Sequence, residues 1–303
     1  MDQASALQCS NLHKRYADHA VLRGIDLQVQ AGAIHGLVGL NGAGKTTTLE
    51  CVLGLRQKDT GDISVLGFAP WELFRANGSI AVVFDSPCLH PQLTVRQSLQ
   101  LARLPAAPAA YSLQQVEQML GIERYAHFKV RQLSLGNRRR TAIAQALINR
   151  PRFIILDEPF NGLDAGGVED VLQLIQQLNR DHGTSFLLAS HQLAYLEKIC
   201  THIAMLHDGK IQVSQTVATL LTRDQTIVTV VASDSRQAKI VLGQMKNVEI
   251  LASDNNGIQC RLLSGTSAQL NKQLVQLDVS VEQLLLHKPS LESVFYANVG
   301  KRA

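Results

Sequence analysis

The chain lacks any long apolar run. No stretch of its 303 residues approaches the roughly 18 consecutive apolar residues that a membrane-spanning helix needs. The first residues, Met1, Asp2 and Gln3, also lack the basic and then apolar order of a secretory signal peptide. We therefore expect a water-soluble chain that resides in the cytoplasm.

Cysteines are few and widely dispersed. They are Cys9, Cys51, Cys88, Cys200 and Cys260, an odd number without a C-x-x-C pair. This pattern excludes a simple disulfide framework and predicts reduced, mostly structural thiols.

A strong charge of either sign is also absent. The net charge is +4, and the basic residues are scattered apart from the compact run Arg138–Arg140. We therefore expect no nucleic-acid partner, and we expect these arginines to face solvent or to support their helix. The 46% of hydrophobic residues suffices for a real core, and 303 residues suit one large domain plus a small one.

The most informative stretch that is present is residues 39–47, GLNGAGKTT, which meets every fixed position of the phosphate-binding pattern G-x-x-x-x-G-K-[ST]. Its glycines let backbone N–H groups close around phosphate oxygens, Lys45 adds a positive charge, and the Thr46 hydroxyl can bind Mg²⁺. A helix beginning at Lys45 directs its positive dipole end at the anion. The residues predicted to contact a nucleoside triphosphate are Gly39, Leu40, Asn41, Gly42, Ala43, Gly44, Lys45, Thr46 and Thr47.

The flanking pattern fits this interpretation. Residues 33–38 predict a short buried strand, and residues 46–55 predict a helix that ends near Gly54. The alternative is a glycine turn between strand and helix without a ligand, which the intact Lys45-Thr46 pair disfavours.

The rest of the first 221 residues alternates between strand and helix patterns. Residues 7–30 predict antiparallel strands, and residues 93–147 predict a helical subdomain interrupted at residues 105–108. Two apolar runs, residues 153–156 and 184–189, predict core strands of a parallel sheet with polar residues at their C-terminal ends.

The pattern of predicted strands and helices changes beyond residue 221. Strand patterns at 226–232 and 279–285, helix patterns at 235–245 and 267–277, and a hairpin of 248–251 with 258–263 follow one another. The order β-α-β-β-α-β predicts a small ferredoxin-like module. An apolar segment at helical spacing, residues 289–297, follows. The region beyond residue 221 carries no obvious catalytic cluster, and we interpret it as structural or regulatory.

Candidate chemistry stands at the ends of the two core strands. Asp157 and Glu158 follow the first strand, and His191 follows the second. Asp157 is placed to organise Mg²⁺, Glu158 to polarise a water for attack on a γ-phosphate, and His191 to hold water and carboxylate in register. The alternatives are a solvated strand end for the acids and a purely structural strand-end histidine.

Taken in order, these motifs resemble the ATP-binding subunit of ABC transporters over residues 1–221. In that resemblance Tyr16 stacks on adenine, residues 133–137 form the signature loop, residues 161–164 link two subunits, and His191 is the switch histidine.

The resemblance implies a fold class and a division of the chain. Residues 1–221 would form an α/β P-loop NTPase domain of the ABC type, with a mixed sheet, an antiparallel β subdomain and a helical subdomain. Residues 222–303 would form a small α+β ferredoxin-like accessory domain.

The resemblance also implies partners and cofactors. Two subunits, identical or related, would sandwich ATP and Mg²⁺, with Ser134 and the N–H of Gly136 meeting the γ-phosphate held by the other subunit and Asp164 in the linking loop. A separate transmembrane permease would hold the ATPase at the inner face of the cell membrane.

Two positions depart from the family pattern. The signature usually has two adjacent glycines followed by glutamine, where this chain has Leu135, Gly136 and Asn137. The place of the usual magnesium-contacting glutamine falls to Asp85, whose oxygen can bind Mg²⁺ but adds negative charge beside the phosphates. This combination resembles exporters of the bacitracin and lantibiotic self-protection type.

Three functions remain open at this point. The first is a transport ATPase that exports an amphiphilic compound or peptide. The second, a soluble ABC ATPase acting on ribosomes or DNA, should show tandem cassettes or a long coiled coil, and neither pattern is present. The third is an ATP-dependent regulator with weak hydrolysis, which Asp85 and Leu135 keep open.

Overall fold

The computed structural model describes residues 5–86, 88–103, 111–221, 226–254, 257–287 and 290–299. The chain forms two compact units, Met1–Val217 and Ala218–Ala303, and the boundary predicted between residues 221 and 222 lies just beyond this division. None of the helices within the described ranges has the length and apolarity needed to cross a bilayer.

The first unit alternates strands and helices. Its strands are β1 (Ser5–Tyr16), β2 (His19–Gln30), β3 (Ile34–Val38), β4 (Thr60–Val65), β5 (Ile80–Val83), β6 (Phe153–Asp157), β7 (Ser185–Ser190), β8 (His202–His207) and β9 (Lys210–Thr216). Its helices are α1 (Lys45–Val52), α2 (Val95–Arg103), α3 (Leu113–Met119), α4 (Leu135–Leu147), α5 (Ala165–His182) and α6 (Leu193–Ile199). A further short helix, α7 (Val217–Leu221), begins at Val217, the last residue of the first unit. Short 3₁₀ turns occupy Pro70–Ala76, Glu123–Tyr125 and Val130–Gln132.

Two sheets make up the frame of this unit. The larger has the order β5-β6-β7-β3-β8-β9, parallel except for the antiparallel edge strand β9. The smaller is antiparallel, with the order β2-β1-β4. The predicted mixed sheet and antiparallel subdomain are thereby confirmed. Strands β3, β6 and β7 are buried along their whole length, which explains their continuous apolar sequences.

The main core of this unit lies between the two sheets. It combines Leu7 and Ile25 of the antiparallel sheet with Leu49 of α1 and with Phe153 and Leu187 of the parallel sheet. Burial of these side chains fixes α1 against both sheets, so that the loop between β3 and α1 has a rigid base.

The predicted helical subdomain consists of α2, α3 and α4. Helix α4 packs against both of the others, and the buried carboxylate of Glu117 on α3 binds the guanidinium of Arg96 on α2, with 2.9 Å from Nε to Oε1. The predicted interruption at residues 105–108 lies outside the described residues.

Helix ends differ slightly from the sequence-based prediction. Helix α1 begins at Lys45 as expected but ends at Val52, and Gly54 follows its C-cap Leu53. Helix α4 ends at Leu147, the last residue of the predicted helical subdomain. Helix ends depend on capping contacts, which hydrophobic spacing alone does not reveal.

The second unit has the predicted order of elements. It contains β10 (Thr226–Ala232), α8 (Ser235–Gln244), β11 (Val248–Asp254), β12 (Gly257–Leu262), α9 (Ser267–Gln276), β13 (Val281–His287) and α10 (Leu291–Val299). The sheet order β11-β12-β10-β13, antiparallel throughout, is that of a ferredoxin-like split β-α-β module. Residues 255 and 256 of the predicted hairpin turn and residue 289 of the closing segment lie outside the described residues.

Candidate functional site

The candidate site lies where three neighbouring strands of the parallel sheet end. Strands β6, β7 and β3 are adjacent, and their last residues are Asp157, Ser190 and Val38. Because the strands are parallel, their C-terminal ends meet at one edge of the sheet. The edge therefore brings together the phosphate loop, the pair Asp157-Glu158 and His191, as the sequence predicted.

The backbone of the phosphate loop allows little besides glycine at its two ends. A Cβ at Gly39 would lie 2.6 Å from the carbonyl oxygen of Leu206, and Gly44 has φ 106°, which side-chain-bearing residues rarely adopt. Helix α1 begins immediately afterwards, so the unpaired N–H groups of its first turn face the loop. The loop is therefore shaped as an anion cradle at a helix N-terminus.

Lys45 is buried and held against its own loop. Its Nζ donates hydrogen bonds to the carbonyl oxygens of Gly39 at 2.8 Å and Leu40 at 3.4 Å, and it lies 3.4 Å from Oε1 of Glu158. The ammonium group thus links the phosphate loop to the end of β6, and it provides a fixed positive charge between them.

Thr46 and Asp157 form the part of the site suited to a divalent cation. The Thr46 hydroxyl donates to Oδ2 of Asp157 at 2.9 Å, while Oδ1 of Asp157 is buried and has no hydrogen-bond partner among the described residues. Burial raises the pKa of the Asp157 carboxyl, the Glu158 and Asp85 carboxylates add to the rise, and the Thr46 hydrogen bond opposes it. A hydroxyl, an unpartnered carboxylate oxygen and an excess of negative charge fit Mg²⁺, which takes hard oxygen ligands.

Glu158 is held by donors on both carboxylate oxygens. His191 places Nδ1 2.9 Å from Oε1, and the hydroxyl of Ser190 donates to Oε2 at 2.8 Å. The backbone of Glu158 has φ 47°, a left-handed conformation that is uncommon for a residue with a side chain and that recurs at functional sites. The carboxylate is therefore both fixed in place and only 10% exposed.

Ser190 is the functional residue that sequence reasoning missed. It is fully buried, and besides donating to Glu158 it accepts a hydrogen bond from the backbone N–H of Gln192 at 3.1 Å. Its position as the last residue of β7, directly before His191, was the available signal. A serine there is otherwise unremarkable in sequence.

The predicted signature residues lie on a different element. Ser134 caps helix α4, accepting a hydrogen bond from the N–H of Asn137 at 3.2 Å, and Leu135 is half exposed. A Cβ on Gly136 would lie 3.1 Å from the carbonyl oxygen of Gly162, so this helix start packs on the loop after Glu158. Within the described part of the chain, no hydrogen bond or ion pair joins Ser134 to its own phosphate loop.

Asp85 and Arg139 contact each other. NH2 of Arg139 lies 2.9 Å from Oδ1 of Asp85, and Asn161 donates to the same oxygen at 3.0 Å. Arg139 is 1% exposed, so the expectation of a solvent-facing side chain is wrong for this arginine, and support of its helix stays a prediction. The magnesium role of Asp85 stays a prediction.

The two remaining predicted residues, Asp164 and Tyr16, have contacts of their own. Asp164 caps helix α5 by accepting a hydrogen bond from the N–H of Gly167 at 2.9 Å. Tyr16 is 38% exposed, and two cations lie near its ring centroid, Nζ of Lys14 at 5.4 Å and the guanidinium of Arg56 at 5.6 Å. A partly exposed ring is available for stacking on a planar ligand.

Comparison with known proteins identifies the family. The model of the ABC transporter family matches residues 22–161. The ABC transporter ATP-binding protein YdbJ of Bacillus subtilis (strain 168) is 31% identical over 291 residues, which cover 95% of this chain and 94% of YdbJ. The bacitracin transport ATP-binding protein BcrA of Bacillus licheniformis is 29% identical over 304 residues, which cover 98% of each chain.

A solved structure shares the fold of most of this chain. The dimeric structure of a post-hydrolysis state of the ATP-binding cassette MJ0796, bound to ADP and Pi, superimposes with a TM-score of 0.62 at 26% identity, over 70% of this chain and 98% of the other. The chain belongs to the ATP-binding proteins of ABC transporters. It is therefore a nucleotide-binding protein with an ABC-type ATPase domain.

Proposed function

We propose that this chain binds and hydrolyses ATP as one half of a dimer and couples hydrolysis to export of an amphiphilic compound or peptide through a separate membrane permease. The observation that carries the proposal is the convergence of Lys45, Thr46, Asp157, Glu158 and His191 at one edge of the sheet. These residues supply the charges, the hydroxyl and the base that phosphoryl transfer to water requires.

Nucleotide binding follows from the phosphate loop. Backbone N–H groups between Gly39 and Thr47 and the ammonium of Lys45 bind the phosphate oxygens, and the ring of Tyr16 stacks on the adenine. Thr46 and Asp157 would hold Mg²⁺, which would neutralise negative charge on the phosphates. Asp85 is a further predicted ligand of this ion.

Glu158 is the general base. It accepts a proton from the water whose oxygen forms the new bond to the γ-phosphorus, while the bond to the leaving ADP oxygen breaks. His191 and Ser190 hold the carboxylate through one oxygen each, which keeps it oriented. This pre-organisation reduces the entropic cost of reaching the transition state.

A second copy, or a related ATPase subunit, completes the site. Ser134 and Gly136 stand at the N-terminus of α4, where a hydroxyl and the helix dipole suit a γ-phosphate. In this proposal the signature residues of one subunit act together with the phosphate loop of the other across a dimer, with Asp164 in the loop between subunits. The dimeric form of MJ0796 supports this arrangement.

The transport role is supported by the relatives. BcrA of Bacillus licheniformis, which aligns over nearly its whole length, is described as a bacitracin transport ATP-binding protein. We therefore propose that the chain docks on a permease at the inner face of the cell membrane and that the cargo is an amphiphilic compound or peptide. Nucleic acid is not proposed as a partner.

Complementation between inactive variants tests both hydrolysis and the shared site. Lys45→Ala removes the phosphate-binding charge, and Ser134→Arg blocks the signature loop, so each variant alone should lose Mg²⁺-dependent ATP turnover. An equal mixture places one intact site in each mixed dimer, and random pairing should restore about a quarter of wild-type turnover. A mixture as inactive as its components would contradict the shared site, and an inactive wild-type chain would contradict hydrolysis itself.

A further inference from the structure

A buried guanidinium lies at the junction between helix α4 and the end of strand β6. Arg139 is 1% exposed, and its NH1 donates to the carbonyl oxygen of Phe84 at 2.8 Å and approaches that of Asp157 at 3.5 Å. Its Nε is buried and has no hydrogen-bond partner within the part of the chain that the structure describes. Because a charged group is costly to remove from water, this guanidinium needs an anionic neighbour to remain stable.

Asp85 supplies that neighbour. Among the described residues, Asp85 is the one acidic residue within ion-pair distance of Arg139, with 2.9 Å between Oδ1 of Asp85 and NH2 of Arg139. NH2 of Arg139 also donates to the backbone carbonyl of Asp85. The Asp85 carboxylate is 54% exposed, so it remains hydrated. The guanidinium that it neutralises is 1% exposed and has lost its water. A neutral amide at this position could accept the hydrogen bond but could not balance the charge.

The same carboxylate continues into a chain of hydrogen bonds. Asn161 donates to Oδ1 of Asp85 at 3.0 Å, and Gln192 donates to the side-chain oxygen of Asn161 at 2.9 Å. Asn161 follows the base Glu158 by a few residues, and Gln192 follows His191 directly. The network therefore joins the helix that begins after Ser134 to both segments that hold the catalytic carboxylate.

We propose that Asp85 is a positioning residue, which as the counter-charge of Arg139 fixes helix α4 relative to the base Glu158. This inference rests on the proposed function, because Ser134 and Glu158 are the groups whose relative position it sets. Loss of the Asp85 carboxylate lowers turnover because helix α4, which begins after Ser134, shifts relative to Glu158. Removing the charge of Arg139 as well restores the charge balance and with it the position of the helix. The helix start and the base thus respond to one ion pair.

A double-mutant cycle on the full-length chain tests this role. Asp85→Gln leaves the guanidinium unbalanced and should lower the Tm, measured with EDTA and without nucleotide, by about 4–8 °C. Arg139→Gln should have a similar effect, while the double variant, with two neutral amides, should return to within about 2 °C of wild type. Glu72→Gln, which removes the partner of the exposed Arg75, is the matched control and should change the Tm by under about 2 °C.

ATP turnover distinguishes a positioning role from a purely structural one, because a purely structural role would change the Tm without changing kcat. Asp85→Gln should lower kcat about tenfold with the KM for ATP within about threefold, and the double variant should regain most of kcat. Asp85→Glu keeps the counter-charge and should retain the Tm, with a smaller loss of kcat than Asp85→Gln, and it serves as the test should Arg139→Gln fail to fold.

Two results would overturn the proposal. One is additive loss of Tm and kcat in the double variant, since uncoupled residues do not rescue each other. The other is an unchanged Tm in Asp85→Gln together with a shifted Mg²⁺ requirement, which would assign Asp85 to the metal alone. A wild-type chain without ATP turnover would refute the proposed function. The double-mutant cycle of Tm values needs no nucleotide, so it would still show whether Asp85 and Arg139 are coupled.

Discussion

The two units of this protein differ in what they bury. The first unit encloses charged side chains, among them Lys45, Glu117, Arg139, Asp157 and Glu158. Among the described residues of the second unit, every buried side chain is apolar or a cysteine. An example is the cluster around Val230, Leu242 and Leu274.

This difference separates chemistry from scaffold. Burying a charge costs free energy unless it is paired, so a unit that buries several charges carries them for a reason other than stability. Three of those in the first unit converge on the candidate site. The second unit has an ordinary apolar core, and we retain for it a structural or regulatory role.

The largest expected effect comes from neutralising the base. Glu158→Gln should lower kcat at least about a hundredfold, because the amide cannot accept the proton from water, while ATP binding persists and a closed dimer accumulates. ATP turnover, nucleotide titration and size-exclusion chromatography measure the three quantities. Glu249→Gln, the same chemical change in the second unit, should leave turnover unaltered, and unchanged turnover in Glu158→Gln would remove Glu158 from the base role.

A cavity in the second core should act on stability. Leu274→Ala should lower the free energy of unfolding of the second unit by about 2–5 kcal/mol, since the removed side chain is fully buried. Urea unfolding, with hydrogen exchange assigning the transition to residues 218–303, measures the loss, and the half-exposed Leu277→Ala is the control. If ATP binding by the first unit fell in parallel, the separation of chemistry from scaffold would be wrong.

A buried histidine should make the first unit sensitive to acid. His35 is 3% exposed on β3 and stacks on His202, and burial together with the charge of His202 lowers its pKa to about 4. The unfolded chain therefore binds this proton first, and stability is lost as pH falls from about 6.5 towards about 4, by about 2–3 kcal/mol.

Replacement of that histidine isolates the effect. His35→Phe should flatten the dependence of unfolding free energy on pH over this window, whereas the same change at the exposed His127 should leave it intact. Urea midpoints at neutral and mildly acidic pH give the comparison. An unaltered slope in His35→Phe would show that other groups cause the acid sensitivity.

The smallest expected effect concerns the support of the base. Ser190→Ala removes the hydroxyl that donates to Oε2 of Glu158 at 2.8 Å, and kcat should fall about tenfold with the KM for ATP nearly constant. Ser190→Thr keeps the hydroxyl and should restore most of the loss. Ser98→Ala, at another buried serine whose hydroxyl donates to the carbonyl of Thr94 directly before α2, is the control. A threonine variant as slow as the alanine variant would argue against orientation through the hydroxyl.

Much of the fold could be predicted from sequence because its signals are local. Apolar runs such as residues 153–156 mark buried parallel strands, and the element order beyond residue 221 already specified the ferredoxin-like sheet. The conformation of Arg139 could not be predicted in this way. Helical spacing says which residues share a face, but burial of that face depends on the helices and strands packed against it.

The sequence by itself determined the phosphate loop, because its glycines, Lys45 and Thr46 act within one turn between a strand and a helix. The tertiary structure alone decided which side chains meet. Ser190 and Glu158 are 32 residues apart, Arg139 and Asp85 are 54 apart, and Asn161 and Asp85 are 76 apart. Their contacts follow from the strand order β6-β7-β3 and from the packing of α4, and such long-range pairings arise only when the whole unit buries its core.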